Sequence, residues 1–470
     1  MVTQADIHKT APGPRGYPII GNLPHMLRNP LQFLTNTVRQ YGEVVHLGAM
    51  GPQQLYLVAH PDHVKYILQE NNQNYTKGEN FKAIKLIIGD GLAVNEGEAW
   101  RRERRLMQPT FHRQRVGALV NLMTQTISQM LDNWRTIEPG KPLDVFAQMM
   151  QLAQTILLKS LFSINSSDEI NDLNQAWDTA YEYLSSQLWA VFKLPLWVPT
   201  PKNRRFQQAM QTLDTAVYRI IQERRQSNNV PDDLLSMLMD AYDEESGQGL
   251  SDKQLRDEIM AIFTGGFETS AAVLSWTWYL LSQHPNVERQ LQEELVRVLG
   301  GRTPTLEDLP NLKYTRMVLE ESMRLYPGAW VFTRTNLHDD EIGGYHIPAH
   351  SVIMISPYVT HRLPACWENP EDFNPERFTK EKVASRPRYA YYPFGGGPRQ
   401  CIGEIFAMTE MQLIIAIVAQ QYRLHLVPGH PVEEEPMFTL RPRHGIQMTL
   451  AAQVGLDDAS QLDTHKALLT

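Results

Sequence analysis

The stretch from Ser251 to Pro285 limits what this chain can become more than any other. Apolar or small residues recur at Leu255, Ile259, Ile262, Phe263, Gly266, Ser270, Val273, Leu274, Thr277, Leu280 and Leu281, a helical spacing that covers several faces. Ser251 is a good N-cap and Pro285 a stop, so about thirty residues form a helix apolar enough to run through a protein interior. In its middle lies Thr264-Gly265-Gly266-Phe267-Glu268-Thr269. Each glycine costs a helix roughly 1 kcal/mol relative to alanine, and Thr269 can bond back to the Gly265 carbonyl and bend the rod. That weakness has a purpose if something must come close to the backbone there.

A chain built around such a helix needs a large core, and 470 residues that are 42% hydrophobic can supply one. Length alone leaves the domain count open. A formal charge of −8, with no long run of like charge, argues against a nucleic-acid partner. Two cysteines give no disulfide framework and fit a reducing compartment. Met1 to Thr10 is polar, and the longest uninterrupted apolar run, Leu413 to Ala419, is far short of the roughly 18–20 residues of a membrane span. The expectation is a soluble, cytoplasmic protein with no membrane anchor.

Residues 1–20 are proline-rich and should run extended. Val44 to Gly48 and Leu55 to Val58 read as strands around a turn at Met50-Gly51-Pro52, and a helix starts at Pro61. Residues 117–245 are mainly helical, with periodic stretches over Phe146–Leu161, Ala176–Leu194 and Phe206–Arg225. Thr439 to Ile446 reads as a β-hairpin, and about 457–470 as a loose tail.

The second constraint is the loop Tyr392 to Gly403, which holds Cys401. Glycines at 395–397 followed by Pro398 forbid a regular helix or central strand, and a strong helix pattern begins at Glu404. Cys401 therefore sits where a loop meets a helix N-terminus, a setting expected to favour a thiolate. A phosphate loop would end in Gly-Lys-Ser/Thr, whereas Gly403 precedes Glu404. Zinc would require further ligands at short spacing, yet Cys366 is thirty-five residues away and no Cys-x-x-Cys occurs. On the turn alone, a structural cysteine and a metal-ligating thiolate stay equally open.

The whole pattern Phe-x-x-Gly-x-Arg-x-Cys-x-Gly, filled by Phe394, Gly397, Arg399, Cys401 and Gly403, resembles the haem-binding loop of the cytochrome P450 family. The resemblance implies that Cys401 is the axial thiolate of haem b, iron protoporphyrin IX. Phe394 would shield the sulfur, Arg399 would face a propionate, and Gly403 with the other glycines would let the backbone pass close to the porphyrin. It further implies that Trp100 and Arg104, four apart on one helix, hydrogen-bond a propionate, and that Arg334 reaches one too. Glu268 and Thr269 match the family's acid–alcohol pair, which with water delivers protons to dioxygen. Glu321, Arg324 and Arg377 match a buried three-charge lock. The expected pocket wall is Phe81, Ile84, Ile87, Ile88, Phe263, Gly265, Ala329, Trp330 and Val331. Arg101, Arg102 and Arg105 would be the docking patch for a ferredoxin or flavodoxin served by its reductase; as residues alone they read equally as a solvated helix face.

The fold implied is a mainly α structure with a small β-rich lobe, a triangular prism spanning 1–470 as a single haem domain with no fused reductase. The activity implied is monooxygenation, with dioxygen as co-substrate and electrons from NAD(P)H through a separate partner. An isomerase or dehydratase on the same fold is disfavoured by the intact Glu268-Thr269 pair, and a peroxide-driven relative by the lack of an Arg-Pro step there. A non-catalytic haem sensor or carrier is the reading from another class. The substrate is expected to be hydrophobic, possible choices being a long-chain fatty acid or a terpenoid. Gln53-Gln54-Leu55-Tyr56 offers no arginine near the first hairpin to hold a carboxylate.

Overall fold

A computed structural model describes residues 9–453 apart from 18–20, 51–52, 79–81, 165, 189–193, 229, 244 and 246. Strands β1 (Val44–Met50) and β2 (Gln53–Val58) pair antiparallel as the alternating sequence predicts. They join β3 (Tyr75–Thr76), β5 (Phe332–Asn336) and β8 (Val352–Ile355) in one sheet of order β1-β2-β8-β5-β3, with β2 and β8 parallel. Alternate residues split between two cores: Val44, Tyr56, Val58, Ile353 and Ile355 pack on one face, and Val45, Leu47, Leu57, Val352 and Met354 on the other. Strand β4 (Leu143–Asp144) pairs with β12 (Gln447–Ala452), which also pairs with β9 (Tyr422–Leu426); β6 (Asp340–Ile342) and β7 (Tyr345–Ile347) form a small ribbon. The expected hairpin at 439–446 is displaced. The turn lies earlier, between β10 (Glu434–Pro436) and β11 (Leu440–Pro442), because Pro442 ends the pairing and residues 443–446 lead into β12.

Helices make up the larger lobe around one apolar cluster. Those that position the site are α1 (Gly97–Met107), α2 (Val145–Phe162), α3 (Ser167–Leu188), α4 (Asp252–Gly266), α5 (Glu268–Gln283), α6 (Lys313–Leu325) and α7 (Glu404–Gln421). α3 starts earlier than the periodicity of 176–194 indicates, and Leu194 is outside it. Ser251 caps α4 through a reciprocal pair with Gln254.

The long rod is broken. Phe267 (φ −126°, ψ −46°) separates α4 from α5, and Thr269 Oγ1 donates to the Gly265 carbonyl at 3.0 Å, the back-bond the sequence anticipates. The two glycines serve different ends. A Cβ on Gly266 would meet Leu157 of α2 at 2.8 Å, so that glycine lets the helices touch, whereas a Cβ on Gly265 would meet nothing within 4 Å. Taken together, Asp252–Gln283 is long and apolar enough to cross a membrane, with 67% of its apolar window buried inside the fold.

Behind the Cys401 loop lies a closed charge network. Arg324 donates to both Glu321 oxygens at 2.7 and 2.8 Å and to the carbonyls of His361, Pro370 and Asp372 at 2.6–3.0 Å. Arg377 Nε reaches Glu321 at 3.2 Å, and the Asn374 N–H completes the carboxylate at 2.8 Å. Every polar direction is used, as a buried ion pair requires. The loop is pinned to this base by the Tyr392 N–H on His361 Nε2 (3.0 Å) and by Tyr391 Oη on the Glu320 carbonyl (2.9 Å).

Candidate active site

The α4–α5 break and the Cys401 loop face each other across a cavity of about 350 Å³. Gly265, Gly266, Thr269 and Ser270 line it from the helices, and Phe394, Arg399, Cys401 and Gly403 from the loop. Cys401 is held by its own N–H on the Phe394 carbonyl at 2.9 Å. Gly397 (φ +66°) shapes the turn: a Cβ there would lie 1.8 Å from the Leu68 carbonyl oxygen, so its need for glycine comes from neighbouring protein backbone. Cys401 is exposed to the cavity and not to bulk water, and burial pushes its thiol up. The Gly403 N–H and Arg104 oppose that rise, while Glu404 adds to it. The thiolate-favouring setting expected of a helix N-terminus is thus overruled by desolvation, since a helix end offers only about half a charge.

One end of the cavity concentrates positive charge. Lys77, Arg334 and Arg399 all line it. Arg399 pairs with Glu96, donates to the Asn95 carbonyl at 2.7 Å and stacks its guanidinium 4.0 Å above the Trp100 ring. Lys77 donates to the Ala93 carbonyl, and Arg334 to Thr333 at 2.9 Å. Burial and then Arg399 push Lys77 down to about 7 and Arg334 to about 10. Glu96 is the carboxylate that pairs with Arg399. A cavity holding a thiol on one wall, an opening above Gly265 on the other and two buried arginines, Arg334 and Arg399, at one end fits a flat, iron-bearing dianion such as haem b.

Glu268 stands one residue from the cavity wall. Its carboxylate accepts from Thr439 Oγ1 at 2.8 Å, and burial, the largest influence, raises its pKa against the opposing influence of the Tyr181 and Thr439 hydroxyls. Thr269, in the wall itself, presents its hydroxyl beside it.

A cytochrome P450 family model matches residues 11–450. This chain belongs to the cytochrome P450 family. It is 36% identical over 439 residues to cyclooctatin synthase of Streptomyces melanosporofaciens, covering 92% of this chain and 93% of that protein. It is 36% identical to cyclooctat-9-en-7-ol 5-monooxygenase of the same organism, over 89% of this chain and 90% of that one. With pentalenene oxygenase of Streptomyces avermitilis the identity is 31%, over 94% and 97%. The solved haem domain of cytochrome P450DA superposes with a TM-score of 0.88 at 25% identity, over 95% of this chain and 99% of that one. Cytochromes P450 use haem, dioxygen and electrons from outside the chain.

Measured against this cytochrome P450 site, several sequence expectations move. Gly265 and Ala329 are in the wall. Ile87 and Ile88 are sealed in the core, and Ile84 packs against it. Phe263 turns away to meet Trp177 edge-on at 5.0 Å; Ala261 and Ile262, about one helical step round, line the cavity in its place. Trp330 is buried with its Nε1 on the Met437 carbonyl at 2.8 Å, and Val331 packs in the sheet core, so Phe332 is the aromatic that reaches the cavity from β5. Phe81 lies outside the described residues. Trp100 lies under Arg399, and Arg104 donates to the Gln400 carbonyl at 2.8 Å. Lys77 was missed, because a lone lysine between Thr76 and Gly78 carries no pattern; the glycine after a short strand was the one available hint.

The basic patch is also altered. Arg102 and Arg105 reach Asp243, at 3.6 and 3.0 Å, Arg105 also reaches Glu245 at 2.9 Å, and Arg101 pairs with Glu98. Two of the three thus tie α1 to the 243–249 turn.

Proposed function

We propose that this cytochrome P450 hydroxylates or epoxidises a neutral terpenoid. The observation that carries the reading is the division of the cavity: Phe111, Leu157, Ala261, Ile262 and Ala329 are apolar, and the cations gather with Arg399 at the loop end. Among the described residues of the remaining wall there is no cation to anchor a fatty acid carboxylate, which supports a neutral substrate over a fatty acid. The named substrates of the relatives, cyclooctat-9-en-7-ol and pentalenene, support the same chemical class.

In this reading Cys401 Sγ would ligate the iron of haem b, and Arg399, Arg334 and Lys77 would neutralise its two carboxylates. The bound haem supplies oxygen activation and attack on an unactivated carbon or double bond. Glu268, whose pKa burial raises, passes a proton toward the cavity, and Thr269 Oγ1 receives and orients it once its bond to Gly265 is released. The apolar wall excludes water and presents one edge of the substrate above Gly265. The whole chain acts as one haem domain fed from NAD(P)H through a separate ferredoxin or flavodoxin, which fits a cytoplasmic location. Docking falls on the α1 side of the Cys401 loop, where Arg101 and Arg105 are exposed.

The test is absorption spectroscopy of the purified holoprotein. Reduced and carbon-monoxide-bound protein should show the red-shifted Soret band of a thiolate ligand, and Cys401→Ala should lose it. Pentalenene should shift the resting ferric spin state whereas palmitic acid should not; the reverse order would overturn the terpenoid reading.

A further inference from the structure

Glu410 is a buried ionisable group that the reaction as described leaves unused. It sits on α7 at 0% exposure, between Thr409 and Met411 and ahead of the apolar run Leu413–Ala419. Both its carboxyl oxygens are buried without a hydrogen-bond partner among the described residues, and so is Ser270 Oγ. Ser270 approaches closely enough to stabilise the Glu410 carboxylate electrostatically without closing a bond. Three orphan polar atoms in one buried place cost several kcal/mol unless something joins them, and a water needs two to four such partners.

Their position gives the cluster a role. Ser270 follows Thr269 in the chain and lines the cavity, and Ala407 and Met411, one turn below and one residue beyond Glu410, line it from α7. Burial lifts the Glu410 carboxyl to about 8, with no cation acting on it, so it is an uncharged acid at neutral pH. Glu268, by contrast, is tied to Thr439.

We propose that Glu410 and Ser270 bind a buried water at the cavity wall, and that Glu410 is a second proton donor to the cavity, independent of Glu268. The Glu410 O–H bond breaks toward the water, the water gives a proton to Ser270 Oγ, and Ser270 releases its own to the cavity. Between turnovers the carboxylate takes a proton back along the same path from a hydronium ion that reaches the emptied cavity from bulk solvent and is left as water. The inference rests on the monooxygenase reading for its use, but the acid and its water can be observed without turnover.

The experiment has two arms. Infrared spectra of resting holoprotein should contain the carbonyl stretch of a protonated carboxylic acid that shifts in D₂O, disappears in Glu410→Gln and moves in Ser270→Ala. An unchanged spectrum in both variants overturns the water site, whatever the substrate proves to be. The second arm measures product formed per NAD(P)H consumed. Glu268→Gln alone should keep part of the coupling, and adding Ser270→Ala, which leaves Glu410 and its packing in place, should lower it about tenfold further. Equal coupling in the single and double variants, with haem content unchanged, overturns the donor role.

Discussion

Two arginine-rich clusters flank the Cys401 loop, and they are built on opposite principles. Behind the loop, Glu321 is shared by Arg324 and Arg377, and the spare donors of Arg324 end on carbonyls; the network is closed. In front of it, Arg334 and Arg399 lie at one end of the cavity beside Lys77; Arg399 pairs with Glu96, and Arg334 donates only to the Thr333 carbonyl among the described residues. Burial then shows as lowered pKa values at Lys77 and Arg334. A balanced buried network holds a shape, whereas an unbalanced one holds a place for an opposite charge. The same residue type is structural in one and receptive in the other, and the partners alone decide which.

The comparison can be broken at either cluster. The largest effect belongs to Glu321→Ala, which leaves two buried arginines uncompensated and should cost about 3–5 kcal/mol. Urea unfolding would show it, and a loss under about 1 kcal/mol would mean the lock is not a lock. Arg334→Met should do the reverse in the haem-free protein, leaving the urea midpoint equal or higher because repulsion among the cations falls. Haem titration of the same variant should show affinity about tenfold weaker or worse, roughly 1.4 kcal/mol.

The third effect is one of pH. Lys77 has a folded pKa of about 7, below that of the unfolded chain, so folding expels its proton above pH 7 and pays for keeping it below. Neutralising carboxylates would raise that pKa again, so haem capture takes up a proton above pH 7. Affinity should be level below pH 7 and fall by up to about tenfold per unit above it, and Lys77→Met should flatten the slope. The smallest effect is expected at Arg101→Ala and Arg105→Ala. Their charges are already met by Glu98, Asp243 and Glu245 at the surface. Stability should change by less than about 1 kcal/mol, and electron delivery, followed by stopped flow, by no more than a few-fold.

What could be read in the sequence was what is local. The glycine-framed loop around Cys401, the Ser251 cap and the Thr269 back-bond each depend on neighbours within a few residues. The three charges of the lock were also legible, from two short motifs that specify residue types at fixed spacing. The cavity wall was not, because it depends on helix phase and on distant contacts. Periodicity marks Ile262 and Phe263 alike as apolar, and only the position of Trp177 on α3 decides that the phenylalanine goes to the core. Ile87 and Ile88 look like pocket residues until the core closes over them. The ion pairs of Arg102 and Arg105 join residues nearly 140 positions apart, beyond the reach of any helix-face argument.

The five-stranded sheet carries a consequence for synthesis. β2 finds its parallel partner only when Leu55 meets Val352, and Thr360 Oγ1 closes the same seam on the Ala59 carbonyl at 2.9 Å. At about 5–20 residues per second, a ribosome needs roughly 15–60 s to deliver the second strand after the first has emerged. Throughout that interval β1 and β2 present an open edge, and the apolar rod of α4 and α5 leaves the exit tunnel before α7 exists to cover it. A nascent chain of this topology therefore depends on being kept apart from its copies until nearly four-fifths of it has been made.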